Sequence, residues 1–200
     1  MAVELLLLGG APGSGKSTIA KQFVANEYVP GARHLSVGER KRAILRGEVA
    51  SRYKEALSQK AYHDRISGTV GHGAMIGMVE EYIEQEPDGL VVLDGFPRYR
   101  DRVDSFRQSI DRLGARVLGL CIVEVPEHIL RERLVARPVR SEQAASDPTR
   151  IDERLADHYH HIVPTLDMLS ARYPSCTLDG TEPPAVNAAV LRTMYYGLTG

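Results

Sequence analysis

The feature that most constrains this chain is a glycine-rich stretch placed directly after an apolar run. Val3–Leu8 is almost continuously apolar, as expected for a parallel strand that is buried on both faces. The residues Gly10–Thr18 read Gly-Ala-Pro-Gly-Ser-Gly-Lys-Ser-Thr and fit the pattern G-x-x-x-x-G-K-[ST]. A helical pattern follows from Lys16 to Asn26. Strand, glycine loop and helix in this order predict a P-loop that binds the phosphates of a nucleotide.

Each residue type in this loop has a physical reason to be there. Gly13 and Gly15 let the backbone turn its N–H groups inward, where a Cβ atom would collide with a phosphate. The following helix directs its positive end at the same point. Lys16 is predicted to span the β- and γ-phosphates, and Ser17 is predicted to be a Mg²⁺ ligand. The loop residues predicted to bind the donor nucleotide are Gly10, Ala11, Pro12, Gly13, Ser14, Gly15, Lys16, Ser17 and Thr18.

Strand-like and helix-like segments alternate along the rest of the chain, which predicts an α/β fold with a parallel sheet. Further strands are expected at 33–36, 90–93, 117–125 and 175–178. Gly38–Tyr62 is predicted as one helix. Ser67–Gly77 holds four glycines, which predicts a segment that is flexible or that lets the backbone approach something closely. Ile151–Tyr173 is predicted as a long helix that bends near Pro164.

Length and composition narrow the class of protein. The chain has 200 residues, which predicts a single domain, and a net charge of −1, which argues against general affinity for nucleic acid or anionic membranes. No signal-peptide pattern or membrane span is apparent, so a cytoplasmic protein is expected. Cys121 and Cys176 lie in strand-like stretches without metal-site spacing and are predicted to be buried, reduced thiols. A histidine cluster is predicted to be solvated helix surface; its members are His158, His160 and His161.

A second candidate for the site is Asp94, which follows the apolar run Leu90–Leu93. Open α/β sheets bind ligands at the carboxyl ends of their strands, so this carboxylate is expected at the same edge as the glycine loop. An aspartate there can hold Mg²⁺ through water. The segment Gly95-Phe96-Pro97-Arg98 follows directly, which makes an isolated turn aspartate a poor explanation.

Taken together, these motifs resemble those of the adenylate kinase family. The resemblance rests on Gly10–Lys16 and Asp94–Arg98, and it extends through Ser36–Arg42, Arg133–Arg137 and Arg154-Leu155, in family order. It implies a P-loop kinase fold with a five-stranded parallel sheet flanked by helices, within a single domain over 1–200. It also implies a helical acceptor-binding insertion at about 38–77 and a short lid at about 137–150.

The resemblance implies roles for several arginines. Arg42 and Arg98 match residues that grip the phosphate of the acceptor, and Arg133 matches one that lies along the donor adenine. Arg137 and Arg154 match lid arginines that neutralise the transferring phosphoryl group. The predicted catalytic residues are therefore Lys16, Asp94, Arg98, Arg137 and Arg154. The predicted acceptor-binding residues are Val37, Gly38, Arg42, Gly95, Arg98 and Arg102, and the predicted metal ligands are Ser17 and Asp94.

The chain departs from the family pattern at the acceptor site. Arg102 stands where the family usually has a glutamine that reads the acceptor adenine, and Val37 stands where it has serine or threonine. The lid also lacks the usual arginine followed closely by two aspartates; Gln143, Ala145 and Ser146 occupy those positions. These differences place AMP in doubt as the acceptor, because a site built for one base edge rejects another.

Three functions follow from these observations, all with ATP and Mg²⁺. The first is a kinase that transfers the γ-phosphoryl group of MgATP to a nucleoside monophosphate or similar acceptor, motivated by Arg42 and Arg98. The second is a kinase for a hydroxyl of a sugar, aminoglycoside or other metabolite, motivated by the altered acceptor residues. The third, a non-catalytic nucleotide switch, would leave the donor-side cations without a purpose. The expected partner is a small-molecule acceptor, and the chain is expected to be a monomer or a small homo-oligomer.

Overall fold

A computed structural model describes residues 2–58, 70–85, 88–136 and 148–200. Its strands form one sheet in the spatial order β2-β3-β1-β4-β5, and every pairing is parallel. The strands are β1 (Val3–Gly10), β2 (Arg33–Ser36), β3 (Gly89–Asp94), β4 (Arg116–Glu124) and β5 (Ser175–Asp179). The α/β fold with a parallel sheet, predicted from the alternation of strands and helices, is confirmed, as is the five-stranded sheet that the family resemblance implied.

Helices cover both faces of the sheet. They are α1 (Lys16–Ala25), α2 (Val37–Arg46), α3 (Lys54–Ser58), α4 (Val70–Gln85), α5 (Val103–Arg112), α6 (Glu127–Val135), α7 (Pro148–Asp157), α8 (Val163–Ser170) and α9 (Pro184–Thr199). Alternate leucines of β1 point to opposite faces. Leu5 and Leu7 join the core formed with α4, α5 and α8, whereas Leu6 and Leu8 join the core formed with α1 and α9. Of the helices in the described segments, none has the length and apolar character to cross a bilayer.

The single helix predicted over Gly38–Tyr62 is wrong, because the chain breaks after Arg46. Gly47 adopts a left-handed conformation with φ 80°, and its N–H group donates to Ile44 O at 3.0 Å. The N–H group of Glu48 donates to Ala43 O at 2.9 Å. This pair of bonds is the Schellman arrangement that ends helices at glycine. Helix α3 begins only at Lys54, and residues 59–62 lie outside the described part.

The glycine-rich segment Ser67–Gly77 is helical where the structure describes it. Residues 70–77 belong to helix α4, and residues 67–69 lie outside the description. The close approach predicted as the alternative does occur at Gly77, where a Cβ atom would lie 2.5 Å from Cε1 of Tyr53. Gly77 therefore makes room for an aromatic ring between α3 and α4.

The bend predicted near Pro164 is a local change of helix type. Between α7 and α8 the residues His158–Ile162 form one turn of π-helix. Pro164 has no N–H group to donate to the preceding turn, and the hydroxyl of Thr165 donates to His161 O at 2.7 Å. His158, within the π turn, is only 7% exposed, so its predicted place on a solvated surface is wrong. His160 and His161 are exposed, as predicted.

Candidate active site

The glycine loop joins β1 to α1 at the carboxyl edge of the sheet. Gly13 and Gly15 have φ angles of 86° and 95°, which side-chain-bearing residues rarely adopt. Gly15 precedes the first residue of α1, so the helix begins inside the loop and its free N–H groups point into it. Ser14 is fully buried beneath the loop. The predicted phosphate cradle therefore has the backbone conformation that the motif requires.

Lys16 is held within the curve of this loop. Its Nζ atom donates to Gly10 O at 2.9 Å, to Ala11 O at 2.7 Å and to Ser14 Oγ at 3.3 Å. These bonds keep the ammonium group over the loop instead of in solvent. A positive charge is thus fixed next to the inward-facing amides, where an anionic ligand gains the most from it.

Asp94 ends β3 and is 4% exposed. It accepts a short hydrogen bond from the Ser17 hydroxyl, and Nε2 of His34 lies 3.6 Å from its Oδ2 atom. Burial is the largest single influence on this carboxyl and opposes its ionisation. The neighbouring His34, Lys16 and Ser17 together outweigh burial and hold the pKa of Asp94 below its ordinary value.

This pair of oxygen donors suits a magnesium ion. Asp94 is ionised at neutral pH because its pKa is depressed, and the Ser17 hydroxyl contacts it directly. Mg²⁺ prefers oxygen ligands and usually keeps several waters, so one carboxylate and one hydroxyl are a sufficient protein contribution. The residues present therefore fit the ion. They would hold it where it supplies positive charge to the phosphates.

His34 was not identified from the sequence. It lies on β2 beside Val92 of β3, two residues before Ser36, whose partner in the sheet is Asp94. A signal was available, because a histidine within a short buried strand needs a polar neighbour. Without the order of the strands, however, nothing indicated that β2 and β3 are adjacent.

The segment after Asp94 brings Arg98 toward the loop. Gly95 donates its N–H group to Leu8 O at 3.2 Å, and Phe96 packs against Phe106 with ring centroids 5.5 Å apart. A small cavity of about 30 Å³ is lined by residues of both motifs, among them Lys16, Gly95 and Arg98. The structure thus places the cation of the loop and the arginine after β3 around one space.

The other predicted acceptor residues lie along α2 and after Arg98. Val37 is 1% exposed and packs in the core, so only its backbone is available to a ligand. Arg42 is exposed, and its Nη1 atom lies 3.4 Å from where a Cβ atom on Gly38 would be. Ser36 caps α2 by accepting a hydrogen bond from Glu39 N at 3.4 Å.

Arg102 is partly buried, with 13% of its side chain exposed. Its Nε atom donates to Asp101 at 3.1 Å, and its guanidinium lies 5.9 Å from the centroid of the Tyr99 ring. Burial lowers the pKa of this arginine from its ordinary value. The side chain is therefore oriented by its neighbours instead of extended into solvent.

On the donor side, Arg133 of α6 donates to Gly180 O at 2.9 Å. This bond joins α6 to the turn between β5 and α9. Arg154 lies on the exposed side of α7, while Ile151 and Leu155 of the same helix pack with Ala11 of the loop. Helix α7 is thereby fixed against the loop. Arg137 lies outside the described residues, as does most of the predicted lid.

His158 is the other residue that sequence reasoning did not place at the site. It lines a cleft of about 760 Å³ together with Gly10 and Ala11, and its Nδ1 atom is buried without a hydrogen-bond partner in the described segments. Burial, followed by the charges of Lys16 and Arg98, lowers its pKa to about 4. The imidazole is consequently neutral at physiological pH. A signal was present in the sequence, since His158 follows Ile151 and Leu155 at helical spacing and shares their buried face.

Comparison with known proteins agrees with this geometry. The family model for adenylate kinase matches residues 7–173. The chain is 29% identical over 181 residues to an adenylate kinase of Synechococcus, covering 89% of each chain. It is 32% identical over 178 residues to an adenylate kinase of Staphylococcus epidermidis, covering 88% of this chain and 71% of the relative. An adenylate kinase 1 of Synechocystis is 29% identical, with 92% of this chain and 91% of the relative covered.

Proposed function

Because this chain belongs to the adenylate kinase family, we propose that it transfers the γ-phosphoryl group of MgATP to a nucleoside monophosphate. The chain is an ATP-dependent phosphotransferase, and ATP with Mg²⁺ is its donor. The observation that carries the proposal is a cavity lined by both Lys16 and Arg98. Phosphoryl transfer depends on positioning and on cations around the transferred group, which is what this arrangement supplies.

A phosphate group on the acceptor would explain why arginines lie near the site outside the glycine loop. Arg98 follows the Mg²⁺-binding aspartate, and Arg42 lies along the exposed side of α2. Guanidinium groups bind phosphate through two parallel hydrogen bonds and stay charged at any working pH. We propose that both grip the acceptor phosphate, while Lys16, Arg137 and Arg154 neutralise the transferring group and Arg133 lies beside the donor base.

We infer the identity of the acceptor base from the hydrogen-bonding chemistry of the Arg102 side chain. A guanidinium only donates hydrogen bonds, whereas an amide side chain both donates and accepts. Two adjacent acceptors on one base edge, such as O6 and N7 of guanine, suit an arginine. The N6 and N7 edge of adenine presents one donor and one acceptor. Arg102 therefore favours a guanine nucleotide over AMP as the phosphoryl acceptor.

A second candidate function is transfer to a hydroxyl of a metabolite without phosphate. The burial of the Val37 side chain in the core favours it, because the hydroxyl that the family usually offers the acceptor here is missing. In that case Asp94 would help to orient the acceptor hydroxyl. Asp101 and other carboxylates near Arg102 could then contact amines.

An initial-rate panel tests these alternatives. ADP formation from MgATP is measured with each nucleoside monophosphate and with sugars and aminoglycosides. The proposal expects a monophosphate to stimulate ADP formation strongly. Stimulation by hydroxyl compounds alone would support the second candidate.

The variant Arg98→Ala tests whether the acceptor carries a phosphate group. We expect kcat/KM for the monophosphate to fall about 10²–10³-fold, because a charge-assisted, two-bond contact is lost. Arg107→Ala is the matched control, since Arg107 is an exposed arginine that pairs with Asp111 at 3.4 Å on α5, away from both motifs. A loss for Arg98→Ala no larger than that of the control would refute a phosphate-bearing acceptor.

The same proposal assigns roles to two segments of the domain. We propose that residues 38–77 cover the acceptor and residues 137–150 close over ATP, which would exclude water during transfer. A cytoplasmic location and a monomeric or small homo-oligomeric state remain predictions from the sequence, as does the lack of a nucleic acid partner.

A further inference from the structure

Three sulfur atoms meet between the sheet and its last helix. Cys121 of β4 and Cys176 of β5 are direct partners in the parallel register, and their Sγ atoms lie 3.2 Å apart. The Sδ atom of Met194 on α9 lies 3.0 Å from Cys121 and 3.3 Å from Cys176. The mechanism proposed above uses none of these residues.

The two thiols differ in access. Cys121 is completely buried, whereas Cys176 is half-buried, so the predicted burial of both cysteines holds only for Cys121. Cys176 belongs to β5, which is the last strand in the sheet order and pairs with β4 alone among the described strands. Cys176 is therefore the more accessible of the two cysteines.

The spacing of β4 and β5 permits a disulfide bond between Cys121 and Cys176. Neighbouring strands lie about 4.8 Å apart, within the range of about 4.4–6.8 Å that disulfides allow between Cα atoms. The Sγ atoms need to approach by only about 1 Å to form a bond of about 2.05 Å. The contact with Cys121 lowers the pKa of the Cys176 thiol, whereas the contact with Cys176 and burial raise the pKa of Cys121. Cys176 is thus the thiol that ionises first.

We propose that Cys176 is a site of thiol–disulfide exchange with small-molecule disulfides, and that Cys121 resolves it to an internal disulfide. The Cys176 thiolate attacks one sulfur of the small disulfide, and the other sulfur leaves as a thiolate that takes up a proton. Cys121 then attacks Sγ of Cys176, and the proton of Cys121 leaves with the second released thiol. The protein loses two hydrogens, and one small disulfide is reduced to two thiols.

The test exposes the folded protein to oxidised glutathione and measures intact mass. Wild-type protein should lose two hydrogens without keeping a glutathionyl group, and peptide mapping should join Cys121 to Cys176. Cys121→Ala should keep one glutathionyl group on Cys176, because no resolving thiol remains. Cys176→Ala should remain unmodified, because Cys121 is inaccessible. A stable glutathionyl group on wild type, or no change in its mass, would overturn the proposal.

A second measurement uses only the wild-type chain, in case a variant fails to fold. Native alkylation with N-ethylmaleimide should add one group before oxidation and none after it. The oxidised protein should also melt about 5–10 °C higher, since the bond closes a long loop of chain. Two groups added to the native protein, or one group after oxidation, would contradict the assignment. None of these readouts requires phosphotransfer, so the result does not depend on the proposed acceptor.

Discussion

At the scale of single residues, Lys16 is the residue that brings a positive charge into the glycine loop of the donor site. Its ammonium group contacts two loop carbonyls and the Ser14 hydroxyl, so it is already in place before a nucleotide arrives. A cation fixed in advance stabilises developing charge without reorganisation during the reaction. It follows that the effect of removing it should appear in the rate of transfer more than in the stability of the fold.

The corresponding prediction concerns Lys16→Ala. We expect kcat to fall by at least about 10²–10³-fold, because a preorganised cation at the transferred phosphates is lost. Lys21→Ala is the matched control, as Lys21 lies on the same helix and forms an exposed ion pair with Glu39 at 3.0 Å. Steady-state ADP formation measures both variants. A loss below tenfold for Lys16→Ala would contradict the role given to the loop.

Arg102 gives a prediction about selectivity. Arg102→Gln should shift the ratio of kcat/KM for AMP to that for GMP by about 10–100-fold toward AMP, because glutamine can pair with the adenine edge. Initial rates with both acceptors measure the ratio. An unchanged ratio would show that Arg102 does not read the base. Arg100→Gln, two residues earlier and exposed, should leave it unchanged and serves as the control.

Residue types at the site could be predicted, but their neighbours could not. The loop glycines, Lys16 and Asp94 follow from a local pattern, because the physics of binding phosphate acts over a few consecutive residues. His34 contributes through a partner on an adjacent strand, 60 residues later in the chain. His158 lies on the same helix face as Ile151 and Leu155, and that face meets the glycine loop only through the packing of the helix. Both depend on tertiary structure that a local pattern does not contain.

At the scale of elements, the π turn between α7 and α8 is the feature with most consequence. It contains His158, which lines the cleft beside the glycine loop, and the following helix is tied to the Arg98 segment by a bond from Thr165 Oγ1 to Arg98 O at 3.3 Å. Such turns are frequent at functional sites. The same short segment thus contacts both motifs.

Burial of His158 predicts a pH dependence of stability. Its pKa is about 4 in the folded state and 6.5 ordinarily, so at pH between these values the unfolded chain takes up a proton that the folded chain does not. Stability attributable to this residue is therefore unaffected above pH 6.5 and is lost as the pH falls toward 4. Urea unfolding at pH 7 and pH 4.5 measures the loss.

For His158→Gln we expect the loss of stability between these pH values to be smaller than in wild type by about 1–2 kcal/mol, because glutamine does not titrate. His160→Gln, an exposed histidine of the same turn, should keep the wild-type loss. Equal losses in wild type and His158→Gln would mean that the imidazole is not excluded from water.

A glycine can mark the end of a helix, but the signal is not always visible in the sequence. Gly114, after α5, adopts φ 64°, the left-handed conformation in which helices often end. Gly47 carries the same signal, yet a charged helical pattern on both sides hid the break. Gly77 disfavours helix by itself, but the Tyr53 ring fills the space beside it and offsets that preference.

At the scale of the whole molecule, sheet order brings distant motifs together. β3 and β4 lie on either side of β1, so the loop after β1 is flanked by Asp94 from one neighbour and by the β4–α6 connection from the other. Alternation of strands and helices predicted a parallel sheet. It did not predict which strands are neighbours, and that order is given by the structure alone.

The proposed function requires that a nucleotide donor and a phosphate-bearing acceptor meet between Lys16 and Arg98, which line one small cavity. Phosphorus NMR of the protein with MgATP and each nucleoside monophosphate tests it most directly, since donor and acceptor signals are seen together. The account predicts that ADP and a new nucleoside diphosphate form in equal amounts, with little inorganic phosphate. ADP that forms with no monophosphate consumed, or only alongside a phosphorylated hydroxyl compound, would contradict it.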